Sequence, residues 1–581
     1  MNIEHDLLPK QKSRKYGLAV TIDLFPLATE LYEELEKVNV TERLTQVKQL
    51  GPISTAKQLE KTRYDYVILQ LYFHQIIRKN IQSDLKYTYN NRIKLVDFLN
   101  DQQLDIDIVS ENTPVTLADI IQMLVILYNI GHFYNTFVAS RAVTMLAARD
   151  ETFFEHIIHA SPDERYQYAA SCLLKSHNYQ RVHLLNTFLA LDKCDQTKRS
   201  VRIAKELILS YLLENELSAQ SRLHEYFVLF RKVRTAAFVA YDLQIAGVPF
   251  TIDLWNKEGL LYFFKEYLAE FNNTDSAEAL ISQMAKMLDA SVYNEVNNVI
   301  CSTLVSKKMI GKLCADDKWD VDYFEYWRKA DSVLNTKYPQ RHDYETHYLK
   351  ITFKKEHQTL SEKLYEELDR QNHTRVGYYL RHSGEMTIVV SIQKACVDKK
   401  KVAFKVLKAI TCYGRRMHLS PDDSCFVLAV KYFLYYLFNE KQVTIKPVVH
   451  ETKCVICSKG KNSRISELQK LLVSGSNDEK HEVEAMIMLL KKDTVNDTAI
   501  TISGSTVVYK NKGEAVSEFD GIIIYPNRNN EQVIFLEAKN TCEKPGYGKK
   551  CLHKKLKALK IPYDYKKIVV FDHDAYYKTT V

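Results

Sequence analysis

The sequence predicts a multidomain chain, with a mainly α-helical amino-terminal body and a carboxy-terminal α/β domain. Apolar residues recur at helical spacing through most of the first 340 residues. Beyond residue 470 the pattern changes to short runs rich in Ile, Val and aromatic residues, separated by turn residues and flanked by amphipathic stretches. A length of 581 residues also exceeds what one hydrophobic core organises.

Composition narrows the class. Hydrophobic residues make up 46% and charged residues 26%, as in soluble globular proteins. No run of about 18 uninterrupted apolar residues occurs, so no membrane span is expected. A net charge of +8 over this length is mild, so any preference for a polyanion has to be local. Eleven cysteines, mostly single within apolar periodic segments, point to a reducing compartment. The start, MNIEHDLLPKQKSRK, lacks the apolar core of a signal peptide, and the cytoplasm is the expected location.

Residues 1–340 read as an α-helical recognition or regulatory body. Helical spacing is clear in Leu24–Val38, Tyr66–Ile77, Ile120–Tyr134, Val201–Leu213 and Leu260–Phe271. The tetrapeptide Thr21-Ile22-Asp23-Leu24 recurs as Thr251-Ile252-Asp253-Leu254, each expected to open a helix. Within the body, Leu127-Tyr128-Asn129-Ile130-Gly131-His132, followed by Thr136-Phe137, resembles the helix of HD-domain phosphohydrolases. A His-Asp pair would stand there in place of Tyr128-Asn129. Neutral Tyr and Asn cannot supply such metal ligands, and a core helix with a glycine at a close helix crossing is the competing account.

Residues 341–465 read as a mixed α/β or helical bridging region. Glu385–Ile392 is an expected strand, between a helix ending near Arg370 and one starting near Lys400, and Phe426–Phe438 is an apolar helix. His450-x3-Cys454-x2-Cys457 supplies part of a tetrahedral zinc site. With no second CxxC, Cys425 or His481 would have to complete it; two thiols at a strand-turn is the alternative.

The carboxy-terminal domain spans 470–581. Asn477 or Asp478 suits a helix cap, and in Glu479–Lys492 the residues Val483, Met486, Ile487 and Leu490 share one face. Glu484 stands at the margin of that stripe and Glu482 is its alternate. Thr498–Ser503 and Ser505–Lys510 read as strand, with a turn at Asn511–Gly513. Then come two strands, Phe519–Tyr525 and Gln532–Lys539, joined by Pro526–Asn530. A loop centred between Arg528 and Asn529 sets Asp520 directly opposite Glu537, and strand alternation puts Lys539 on the same face. Facing carboxylates repel unless a cation stands between them, and hard oxygen donors suit Mg²⁺ or Mn²⁺. Lys549–Lys560 reads as a helix with Leu552, Leu556 and Leu559 inward, and Lys566–Phe571 as a last buried strand. Residues 541–567 hold nine lysines against two acids, so Lys549, Lys550, Lys554 and Lys557 are candidates to hold a nucleic-acid backbone.

The spacing Asp-x16-Glu-x-Lys on a hairpin resembles the core of the PD-(D/E)XK nuclease superfamily, the restriction-endonuclease-like fold. Phe519 stands where a proline usually precedes the aspartate. The resemblance implies that Asp520, Glu537, the Ala538 carbonyl and Glu484 hold Mg²⁺ or Mn²⁺, and that Lys539 positions the attacking water or steadies the scissile phosphate. The expected activity is metal-dependent hydrolysis of nucleic acid, DNA ahead of RNA, with the helical body as sensor or regulator, as in defence systems. Two cuts in two strands would suit a homodimer. The alternative is a nucleic-acid-binding scaffold that does not cleave.

Overall fold

The computed structural model describes residues 1–8, 18–47, 49, 62–80, 92–94, 114–132, 155, 157–175, 181–214, 222–245, 254, 256–268, 277–288, 299–300, 303, 344–380, 385–420, 423–445, 455–473, 477–492, 498–509, 513–527, 532–539, 547–561, 566–572 and 575–579. The chain divides into two compact units, Met1–Pro339 and Gln340–Val581.

The first unit is mainly helical. It opens with an antiparallel hairpin, β1 (Asn2–Leu8) and β2 (Leu18–Asp23), followed by α1 (Pro26–Lys37), α2 (Val40–Gln46) and α3 (Arg63–Asn80). A short hairpin, β3 (Arg92–Lys94) and β4 (Pro114–Thr116), leads into α4 (Leu117–Ile130). Then follow α5 (Glu164–Lys175), α6 (Val182–Asp192), α7 (Arg199–Leu212), α8 (Arg222–Ile245), α9 (Lys257–Leu268) and α10 (Ala277–Leu288). The hairpins depart from the expected helical pattern. Thr21–Asp23 ends β2 rather than opening a helix, because Ile22 pairs with Ile3 and both are buried. Its counterpart, Thr251–Asp253, lies outside the described residues.

Helix α4 is the axis of this unit. Its sequence, LADIIQMLVILYNI, is apolar on every side, which suits only a helix surrounded by others. It packs against α1, α2, α3, α6, α7 and α8. A capping box starts it: Thr116 Oγ1 accepts from the Asp119 amide at 3.2 Å, and the Asp119 carboxylate accepts from the Thr116 amide at 2.7 Å.

The second unit contains two sheets. The smaller is antiparallel, in the order β5 (Tyr344–Phe353), β7 (Met386–Gln393), β6 (Thr374–Leu380). It is accompanied by α11 (Gln358–Arg370), α12 (Lys399–Arg416) and α13 (Ser424–Leu437). The larger sheet is built from β8 (Gln442–Ile445), β9 (Val455–Lys459), β10 (Thr498–Tyr509), β11 (Ala515–Tyr525), β12 (Gln532–Lys539), β13 (Lys566–Asp572) and β14 (Ala575–Thr579). Its order is β14-β13-β12-β11-β10-β8, with β9 also paired to β10. Every pairing is antiparallel except β12 with β13, which run parallel. A parallel pair needs a crossover, and α16 (Tyr547–Ala558) makes it. Helices α14 (Lys461–Leu471) and α15 (Asn477–Lys492) precede β10.

Strand β10 is one strand where two short ones were expected. Gly504, at φ 106°, sits in the register shift between Ser503 and Thr506, so the first half of β10 pairs with β9 and the second with β8.

The two faces of the larger sheet carry different cores. One cluster joins Val483, Met486, Ile487 and Leu490 of α15 to Ile523, Tyr525, Ile534, Leu536 and Ala538. The other joins Phe519, Ile522, Ile524, Val533 and Phe535 to Leu552, Leu556 and Leu559 of α16, and continues through α13, α12 and α11 to the smaller sheet. The segment expected as a bridge therefore shares one continuous core with the hairpin strands.

Candidate functional site

The central hairpin folds in the register that its loop dictates. Gly521 pairs with Leu536, Ile523 with Ile534 and Tyr525 with Gln532, and the paired ladder ends at Gly521 and Leu536, the residues adjacent to Asp520 and Glu537. Alternation then separates the side chains of β12. Ile534, Leu536 and Ala538 join the α15 cluster, and Val533 and Phe535 join the α16 cluster. Glu537 follows in the second set, and its contact with α16 agrees: Lys555 Nζ donates to Glu537 Oε2 at 2.6 Å.

This ion pair is buried on one side. The Glu537 side chain is 1% exposed and that of Lys555 is 24% exposed. A carboxylate at such depth requires a cation and short hydrogen bonds. Lys555 also lies 5.9 Å from the centre of the Phe519 ring, within the reach of a cation–π contact. Asp520 is half-buried, and its Oδ2 accepts from the Ala538 amide at 2.6 Å. A backbone amide donor therefore ties the first carboxylate to the strand that carries the second.

The remaining expected site residues fall unevenly. Lys539 ends β12, where its backbone pairs with Asp572; its side chain lies outside the described residues. Glu484 is exposed, and its helix covers the Leu536 and Ala538 face of the sheet rather than the Glu537 face. The structure does not bring it to the two carboxylates. Glu482 is half-buried on the same helix. Among the described residues no group of three or more His, Cys, Asp or Glu gathers closely enough to hold a metal ion. Two carboxylates and a backbone carbonyl at Ala538 still form a hard-oxygen set. Carboxylate oxygens are the donor type that suits Mg²⁺ or Mn²⁺, and on Glu537 the Lys555 ammonium rests at 2.6 Å.

Lys550, Lys554 and Lys557 are exposed at helical spacing on α16, opposite Leu552, Leu556 and Leu559. The Lys549 side chain lies outside the described residues. The sequence reading missed Lys555 as a site residue, although it stands three residues after Leu552 and four before Leu559 and so belongs to the inward side. It also missed a second basic face: Lys401, Lys405, Lys408 and Arg416 are all exposed on α12, at a spacing that aligns the first three along one side.

The other candidate ligands that lie among the described residues are core groups. His450 and Cys454 lie outside the described residues. Cys457 and Cys425 share the α13 side of the core, and burial pushes the Cys457 thiol up to about 12 and the Cys425 thiol up as well. His481 sits on α15, over the opposite face. In the first unit, the Asn129 side chain donates to its own helix, at Val125 O, 2.7 Å. His132 stacks on His183 with ring centres 4.0 Å apart and planes at 9°, and Arg234 lies 4.5 Å over Tyr128. Burial first, then Arg63 and His183, hold His132 well below its usual value. Gly131 is where α4 meets α6: a Cβ there would stand 1.9 Å from the His183 carbonyl oxygen and 2.5 Å from Thr187 Oγ1. This stretch is a close helix crossing.

No family model, no curated protein and no solved structure matches this chain.

Proposed function

We propose that the larger sheet with α15 and α16 is a PD-(D/E)XK-type nuclease domain, which hydrolyses phosphodiester bonds of nucleic acid with Mg²⁺ or Mn²⁺. The observation that supports this reading is the hairpin register, whose ladder ends at Gly521 and Leu536, beside Asp520 and Glu537, with Lys539 two residues on. The connectivity agrees: a helix, three antiparallel strands, a crossover helix and a parallel fourth strand.

Asp520, Glu537 and the Ala538 carbonyl would hold the metal, which supplies a water of lowered pKa and neutralises charge on the phosphate. Lys539 orients the water or the scissile phosphate. Lys550, Lys554 and Lys557 hold the backbone away from the reacting bond. The helical body serves recognition or control.

A second reading, a binding scaffold without cleavage, is favoured by one observation: both carboxylates already have protein partners, Lys555 and the Ala538 amide. End-labelled single- and double-stranded DNA and RNA, incubated with Mg²⁺ and the full chain, separate the two. Cleavage that falls about 100-fold or more in Asp520→Ala and Lys539→Ala supports the nuclease. Retained binding with no cleavage by the unaltered chain supports the scaffold.

A further inference from the structure

The lysines of α16 divide into two kinds. Lys550, Lys554 and Lys557 point to solvent, whereas Lys555 reaches down to a carboxylate that strand geometry keeps inside. Glu537 cannot turn to water, because its neighbours Phe535 and Ala538 anchor both sides of β12 in the core. A buried charge is costly unless it is paired, and Lys555 supplies the pairing cation.

We propose that Lys555 is the resident cation of the site, which a divalent metal must displace from Glu537, so that this lysine sets the metal affinity. The inference rests on the nuclease reading above. An ammonium and a divalent ion use the same oxygens, and holding both beside one buried carboxylate would leave excess positive charge at low dielectric. Lys555 has somewhere to go: it is 24% exposed, lies beside the Phe519 ring and shares its helix with the exposed lysines. Once displaced, its ammonium joins that basic face. Metal binding and the binding of a nucleic-acid phosphate are then linked, each favouring the other through the position of one side chain.

The test uses the full chain and manganese chloride, with free Mn²⁺ followed by electron paramagnetic resonance, so that no step depends on activity. Lys555→Met should bind Mn²⁺ at least about tenfold more tightly than the unaltered chain, and Glu537→Gln should lose the site. Lys555→Gln, which keeps a hydrogen-bond donor for Glu537 without the charge, should show the same gain if the methionine variant folds poorly. In thermal unfolding, added Mn²⁺ should raise the midpoint of either Lys555 variant more than that of the unaltered chain. Equal or weaker Mn²⁺ affinity in both Lys555 variants, with binding still lost in Glu537→Gln, overturns the role of Lys555 and leaves the nuclease reading standing. An absence of Mn²⁺ binding in the unaltered chain and in both Lys555 variants overturns the two together.

Discussion

Substituting Gly131 by alanine tests whether the Tyr128–His132 stretch is a packing junction. The added Cβ would lie 1.9 Å from the His183 carbonyl oxygen, where about 3.3 Å is the closest comfortable carbon–oxygen approach. Helices α4 and α6 would have to part by about 1.4 Å at that point. Two buried hydrogen bonds cross there, Asn186 Nδ2 to Gly131 O at 3.1 Å and Thr187 Oγ1 to Leu127 O at 2.9 Å. Such a displacement takes both out of bonding range. Their loss, at about 1 to 3 kcal/mol each when a partner is left unsatisfied, combines with the cost of overpacking to destabilise the first unit by about 4 kcal/mol. All three tryptophans precede residue 340, so tryptophan fluorescence during urea unfolding reports on the first unit. The expected result is a large fall in its midpoint with the slope preserved. A loss under about 1 kcal/mol would refute the reasoning, because no rigid crossing could absorb a Cβ so cheaply.

The pH dependence of the first unit follows from two buried histidines. Burial lowers His74 from 6.5 to about 3, and His132 lies well below its usual value. The unfolded chain therefore takes up more protons than the folded one, and stability is full above about pH 6.5 and declines as pH falls toward 3. Each histidine contributes up to about 1.4 kcal/mol per pH unit in that window. The fluorescence midpoint should drop between pH 7 and pH 5, and a His74→Phe variant that keeps the full pH slope would contradict this assignment. At the basic face of α16, the double variant Lys550→Ala, Lys554→Ala should lower the slope of log binding constant against log salt for double-stranded DNA by about 2. An unchanged slope would place the nucleic acid elsewhere, with the exposed lysines of α12 the next surface to vary.

Much of the hairpin was legible in the residues alone. Its register follows from a turn segment between two apolar runs, and the inward stripes of α15 and α16 follow from leucines and other apolar residues at helical spacing. These are local signals, set within a few residues of where they act. The zinc motif and the HD-like stretch were ambiguous for the converse reason, since residues of metal-site type also serve as core groups when buried beside thiols or stacked rings.

By itself the sequence determined the helical body, the strand–strand–helix–strand order around the hairpin, and the hairpin register of Gly521 with Leu536 through Tyr525 with Gln532. Alternation divides a strand into two faces but does not say which helix covers which. Only the tertiary structure decided that α15 lies over Leu536 and Ala538 and α16 over Glu537, which leaves Glu484 away from the site and delivers Lys555 to it. It likewise decided that Gly131 meets the backbone of α6. Helix-on-sheet packing joins segments far apart in the chain, so the charge that completes a buried carboxylate is chosen by the fold and not by neighbouring residues.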